Sequence, residues 1–166
     1  MMLSMKGRAS RIFAFWLLLV LFVLVACGEQ QAPEEQVREF ISNAKRAVEE
    51  RDVIALDKLI SDRYTDSGRR NRRALVGLTA GYFLRHKNIY LYTQIKDITF
   101  SAKEQARVNL YVAMAGTPVT GAQALIDLRA DLFQFDLTLT NVDGDWRLLN
   151  ASWQRASMDD LLGGES

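Results

Sequence analysis

Apolar positions change their spacing twice along this chain. Ile12 to Ala26 is an unbroken apolar run of 15 residues. After Pro33 the spacing is that of one helix face, with Val37, Phe40, Ile41, Ala44 and Val48 at i, i+3, i+4, i+7 and i+11. Proline suits a first helical turn, and Glu34 and Glu35 complement the positive helix start. The pattern predicts a first helix ending near Arg51. Asp52 is placed to cap a short second helix, whose apolar positions are Val53, Leu56, Leu59 and Ile60. "SDRYTDSGRRNRR", residues 61–73, has no apolar period and reads as a loop. A third helix is predicted from about Arg72 to His86, with Leu75, Leu78, Tyr82 and Phe83 facing inward.

From Asn88 the period becomes two. "NIYLYTQIKDITFSA" predicts a strand with an irregularity near Lys96 and Asp97. In "QARVNLYVAMAG", Ala106, Val108, Leu110, Val112 and Met114 share one face. In "LFQFDLTLTNV", Phe133, Phe135, Leu137 and Leu139 alternate with Gln134, Asp136, Thr138 and Thr140. Turn residues in "GTPVTG" separate these two strands, and "DGD" at 143–145 signals a hairpin into "WRLLNASWQ". Three helices followed by about four strands is an α+β plan, a mainly antiparallel curved sheet with helices on its apolar face. The domain is expected over 34–156, and "MDDLLGGES" within the 157–166 tail reads as polar and frayed.

Charge changes the picture at the N-terminus. Lys6, Arg8 and Arg11 precede the apolar run, and no acid occurs before Glu29. The run is short for a permanent span, which needs ~20 residues. A positive segment, a short apolar stretch and a small-residue ending make a secretory signal over 1–26. Without it, 18 basic residues face 20 acidic ones, so no net field argues for nucleic acid. Cys27 is the single cysteine, which excludes an internal disulfide, and one histidine excludes a multi-histidine metal site.

Leu24-Val25-Ala26-Cys27 resembles the lipobox of bacterial lipoproteins. The resemblance implies lipidation of Cys27, cleavage before it, and a tether over 27–33. A thiolate suits this step as the strongest available nucleophile. Two or more acyl chains anchor firmly where one does not. A simple anchor or cleaved signal with an incidental cysteine is the alternative. Gly28, where an aspartate would imply inner-membrane retention, implies the outer membrane if the source is Gram-negative.

"ERDVIALDKLISDRYTD", a third helix, and a meander ending in "DGDWRLLNASW" together resemble the nuclear-transport-factor-2-like superfamily, over about Glu34 to Ala156. The resemblance implies a cone-shaped α+β roll. Members include steroid isomerases, dehydratases, polyketide cyclases and non-catalytic binding domains. It also implies an interior pocket under the first and third helices, here lined by Phe40, Tyr82, Phe83, Phe133 and Phe135. Asp66 and Asp136 lie where steroid-isomerase relatives carry acids, but Ala44 stands where a tyrosine belongs, and strand parity turns Asp136 outward. "DSG" at 66–68 is also ordinary turn chemistry.

Three further groups carry a functional and a plain reading. His86 ends the third helix between Arg85 and Lys87, where a cation complements the helix dipole and where a general base would need an orienting partner. Arg69, Arg70, Arg72 and Arg73 form the densest basic cluster, either an anionic contact or a solvated loop. Tyr90, Tyr92 and Tyr111 fall opposite the core face, either an exposed dimer patch or sheet-stabilising pairs. Trp146 and Trp153 read as packing groups. No phosphate loop, metal-ligand cluster or cofactor motif occurs.

The leading expectation is a lipid-anchored envelope protein whose cone binds a small apolar ligand or a protein partner without catalysis. A pocket enzyme using Asp66 and a dimerising adaptor are the alternatives. Neither a cofactor nor nucleic acid is expected. Cys27→Ser should leave the fold intact, by circular dichroism, and release the protein from the membrane fraction. Retention in that fraction would show that the apolar run alone holds it.

Overall fold

The computed structural model describes residues 32–119, 121, 124, 125 and 131–163. The signal segment, Cys27, the tether up to residue 31 and residues 164–166 lie outside the described residues.

The first helical stripe forms α1, Pro33–Glu49, which buries Val37, Phe40, Ile41 and Ala47. Each such side chain contributes about 1.5–3 kcal/mol for full burial of the larger ones. Asp52 caps α2, Val53–Lys58, accepting from the N–H groups of Ile54 (3.0 Å) and Ala55 (2.9 Å). The chain then runs into a strand, β1 (Ile60–Asp66), within the segment expected to be a loop. Ile60, Tyr64 and Asp66 are buried there, while the intervening charges Asp62 and Arg63 are exposed. Helix α3, Arg72–Arg85, follows, capped by the Asn71 side chain.

Four long strands complete the sheet: β2 (Tyr90–Ala102), β3 (Gln105–Ala115), β4 (Asp131–Val142) and β5 (Asp145–Arg155). Their order is β1-β5-β4-β3-β2, with β1 parallel to β5 and every other pair antiparallel. The sheet is therefore five-stranded and mixed. The expected irregularity is a register shift between Ile95 and Asp97, and others lie at Phe100/Ala102 and Thr138/Leu139. Such bulges bend a strand and increase its twist. Asp143 and Gly144 take φ of 56° and 96°, the two positive values that a tight hairpin turn demands.

The inner face carries Val108, Leu110 and Leu139, which meet Val37, Phe40 and Ile41 of α1 in the main core. Trp146 belongs to this core, and its Nε1 donates to Gln36 Oε1 at 3.1 Å. Phe40 is thus a core residue.

The outer face differs from expectation. Residues Met158–Leu162 form a short helix, α4, whose start is a reciprocal Ser157–Asp160 capping box. Leu161 is 2% exposed and packs with Tyr111, Ala113 and Leu132. Tyr111 is consequently buried, Tyr92 is half-buried against the same cluster, and the three tyrosines do not form an exposed patch. Leu161→Ala should cost about 2 kcal/mol in urea unfolding. No change would mean that the tail is frayed after all.

Candidate functional site

Helix α3 stands over the part of the inner sheet face that carries Leu91, Val112, Met114 and Phe135. Beneath it lies a cavity of ≈ 370 Å³, within the range of small-molecule sites. Leu75, Leu78, Thr79, Tyr82 and Phe83 line it from α3. Leu91, Val112, Met114, Phe135, Leu137 and Trp153 line it from the sheet. Phe135 and Trp153 are cross-strand partners, stacked with centroids 5.8 Å apart. Leu78 is 49% exposed and stands at the rim. Of the expected pocket residues, Tyr82, Phe83 and Phe135 line the cavity. Phe40 and Phe133 are not among its lining residues.

The lining has few polar atoms. Thr79 Oγ1 donates to the Leu75 carbonyl at 3.0 Å. Tyr64, from β1, is 3% exposed. Burial, then the neighbouring Asp66 charge, pushes its phenol up to about 12. It therefore stays protonated, and its hydroxyl donates to Asp66 Oδ2 at 3.5 Å. Among the lining residues no carboxylate, imidazole, amine or thiol occurs.

Asp66 is buried but is not among the lining residues. Its Oδ1 accepts from the N–H of Gly68 (2.8 Å) and of Arg70 (2.9 Å), and its Oδ2 from Arg70 Nε (2.7 Å). Burial alone would raise its pKa. The backbone and guanidinium hydrogen bonds from Arg70, with Gly68, outweigh that and hold it below the ordinary carboxylate value. A base lowered in this way is poorly matched to proton abstraction. The same bonds hold the turn in which Arg69 adopts φ 59°, a left-handed value uncommon outside glycine. Asp66 thus organises the link from β1 to α3.

The basic cluster divides. Arg70 pairs with Asp66 and lies 5.1 Å from the Trp153 ring centroid. Arg72 makes a two-pronged contact with Asp57 through Nε and Nη2, both 2.7 Å, and its Nη1 donates to Asp62. These bonds hold the Asp57 carboxyl below its usual range. Only Arg69 and Arg73 remain exposed. A wider cleft of ≈ 450 Å³ beside Arg72 is lined by Asp57, Asp62 and Asn71, whose polar groups already engage Arg72 or cap α3. Arg73 also lines it and is the one lining charge that pairs with no carboxylate among the described residues.

His86 caps the C-terminal end of α3, as its position predicts. Its Nδ1 donates to the Tyr82 carbonyl at 3.0 Å, and its ring stacks on Tyr82 at 3.9 Å. Asp136 points to the outer face, where Asn109 Nδ2 donates to it at 2.8 Å. Asp66, Asp136 and His86 are therefore not brought together. Sequence reasoning missed Tyr64 and Trp153 as lining residues. The alternation that puts Phe135 inward does the same for Trp153 once the two strands are paired, whereas Tyr64 depended on recognising β1.

No family model matches the sequence, and no curated protein matches it significantly. Solved structures do match the fold. A putative scytalone dehydratase from Novosphingobium aromaticivorans superposes with TM-score 0.62 at 15% identity, over 75% of this chain and 84% of that one. A putative dehydratase of the NTF2-like family from Streptomyces avermitilis gives 0.59 at 14% identity, over 74% and 96%. Bd1075 from Bdellovibrio bacteriovorus gives 0.61 at 12% identity over 74% of this chain, which spans 40% of that longer one. Others are described as having a cystatin-like fold or as NTF2-like with unknown function. At such identities the likeness concerns architecture alone: the chain has the NTF2-like, cystatin-like α+β fold.

Asp66→Asn keeps an oxygen for the two backbone donors and loses the charged bond to Arg70. It should lower stability by about 1–3 kcal/mol at pH 7. Because the folded pKa is depressed, the wild-type advantage should be complete above the unfolded value of ~4 and disappear as pH falls below it. Urea titrations at neutral and acid pH check this. An advantage that persists in acid would contradict the ion pair.

Proposed function

We propose that this protein is a lipid-anchored envelope protein whose cavity binds a small apolar ligand without catalysing its reaction. The observation that carries this reading is the lining of the cavity. It is apolar on nearly every side, and its polar atoms are hydroxyls and one indole N–H. Two of the hydroxyls already donate within the protein, Tyr64 to Asp66 Oδ2 and Thr79 to the Leu75 carbonyl, so they can serve a ligand only as acceptors. They do not form an acid–base pair.

The lipid anchor rests on the lipobox-like Leu24-Val25-Ala26-Cys27 and on the charges before it. The fold is compatible with both binding and catalysis, since relatives in architecture carry dehydratase names and unknown functions alike. The cavity's chemistry favours binding. Asp66, the acid that an isomerase-like mechanism would use, spends its lone pairs on the turn and on the Tyr64 hydroxyl.

The test is fluorescence titration with N-phenylnaphthylamine, a neutral apolar probe. Binding should saturate, and Thr79→Phe, which fills the space under α3, should weaken it about tenfold, equal to ~1.4 kcal/mol. Asp136→Asn, on the opposite sheet face, should leave it unchanged. Probe binding that ignores Thr79→Phe would place the ligand elsewhere.

A further inference from the structure

Helix α3 is apolar on two sides. Its inner side covers the cavity and core. Its exposed residues are Arg73, Ala74, Gly77, Leu78, Leu84 and Arg85. At 100° per residue these fall within an arc of about 140°. Leu84 is 88% exposed and Leu78 49%. A surface helix normally presents charged and polar residues to water. This one presents leucines and small residues, with an arginine near each end.

The charge around it is one-sided. Residues 67–96 contain seven basic residues and no acid, in a chain with 20 acids. Arg70 and Arg72 are turned to internal carboxylates. Arg73 and Arg85 pair with no carboxylate among the described residues. Asp57 and Asp62, which line a cleft with Arg73, are both engaged by Arg72. Lys87 lies exposed just beyond the helix.

We propose that this outer face of α3 docks onto a membrane surface carrying anionic lipid headgroups. An apolar strip with cationic ends suits a segment lying in the interface, where basic residues meet headgroups and leucines reach the acyl boundary. Spanning is not an option: α3 has 14 residues, and among the described residues no helix is long and apolar enough to cross a membrane. A second copy of the same face is a poorer occupant. Two copies would oppose arginine to arginine with no carboxylate between them, a repulsion that anionic lipid turns into attraction. Leu78 belongs both to this face and to the cavity rim. Docking therefore turns the rim toward the bilayer, although the proposal rests on the face's charge and apolarity and not on what fills the cavity.

The test uses the full chain carrying Cys27→Ser and Leu84→Cys, with a nitroxide on the single remaining cysteine. It is mixed with phosphatidylglycerol vesicles or with phosphatidylcholine vesicles. The N-terminal segment is the same throughout, so the readout is local to α3. With phosphatidylglycerol, the label should lose accessibility to a nickel chelate severalfold and gain accessibility to oxygen. With phosphatidylcholine it should stay exposed, and Arg73→Gln with Arg85→Gln should abolish the difference. Equal exposure on both vesicle types would overturn the proposal. Dipolar broadening of the label without vesicles would overturn it in favour of a second copy.

Discussion

Helix α3 roofs a cavity, so it cannot be held by continuous apolar packing along its length. Its N-terminal end packs Leu75 and Val76 against Ile60, Tyr64 and Ala151 and is held by charge as well. Arg72 joins it to Asp57 of α2 and to Asp62 of β1. One turn earlier, Asp66 gathers Gly68 and Arg70 and sets the direction in which the chain leaves β1. Arginine at a helix start opposes the helix dipole. Here the carboxylates around it offset that cost, and the unusual sequence "RRNRR" becomes intelligible as a structural clamp.

What the clamp leaves below α3 decides the chemistry. The long strands supply more apolar surface than α1 covers, and α3 stands over the remainder without filling it. The acids and the imidazole of this region all act on the protein itself: Asp66 on a turn, Asp57 on Arg72, His86 on the end of α3. A site built this way selects for shape and apolar area. Its Tyr64 phenol stays protonated and donates to Asp66, and none of its lining residues is a carboxylate, imidazole, amine or thiol.

The parts of the fold written as period are the legible ones. Phe133, Phe135, Leu137 and Leu139 alternate so regularly that the inner face of β4 follows directly, and the outward placement of Asp136 with it. β1 was hidden because it is a short edge strand whose alternate positions are Asp62 and Tyr64, Arg63 and Thr65, too polar to show a period. The C-terminal helix was hidden by composition, although Ser157 three residues before Asp160 is a capping signal. Tyr111 shows the consequence: parity correctly puts it on the outer face, but its burial depends on a segment almost fifty residues away. The cavity was legible only in outline. Tyr82, Phe83 and Phe135 follow from facing inward, while the exclusion of Phe40 and the inclusion of Trp153 depend on how far α3 stands from the sheet.

The two faces of the sheet thus have different covers, a loosely filled one under α3 and a closely packed one under α4, and the methionines report on each. Met114 lines the cavity, and Met158 packs at the outer cluster. Carbon-13 methyl spectra of the protein titrated with an apolar ligand read the two sites together. Occupation of the cavity predicts a saturable shift of the Met114 methyl with Met158 unmoved. A shift at Met158 alone, or none at either methyl, would contradict it.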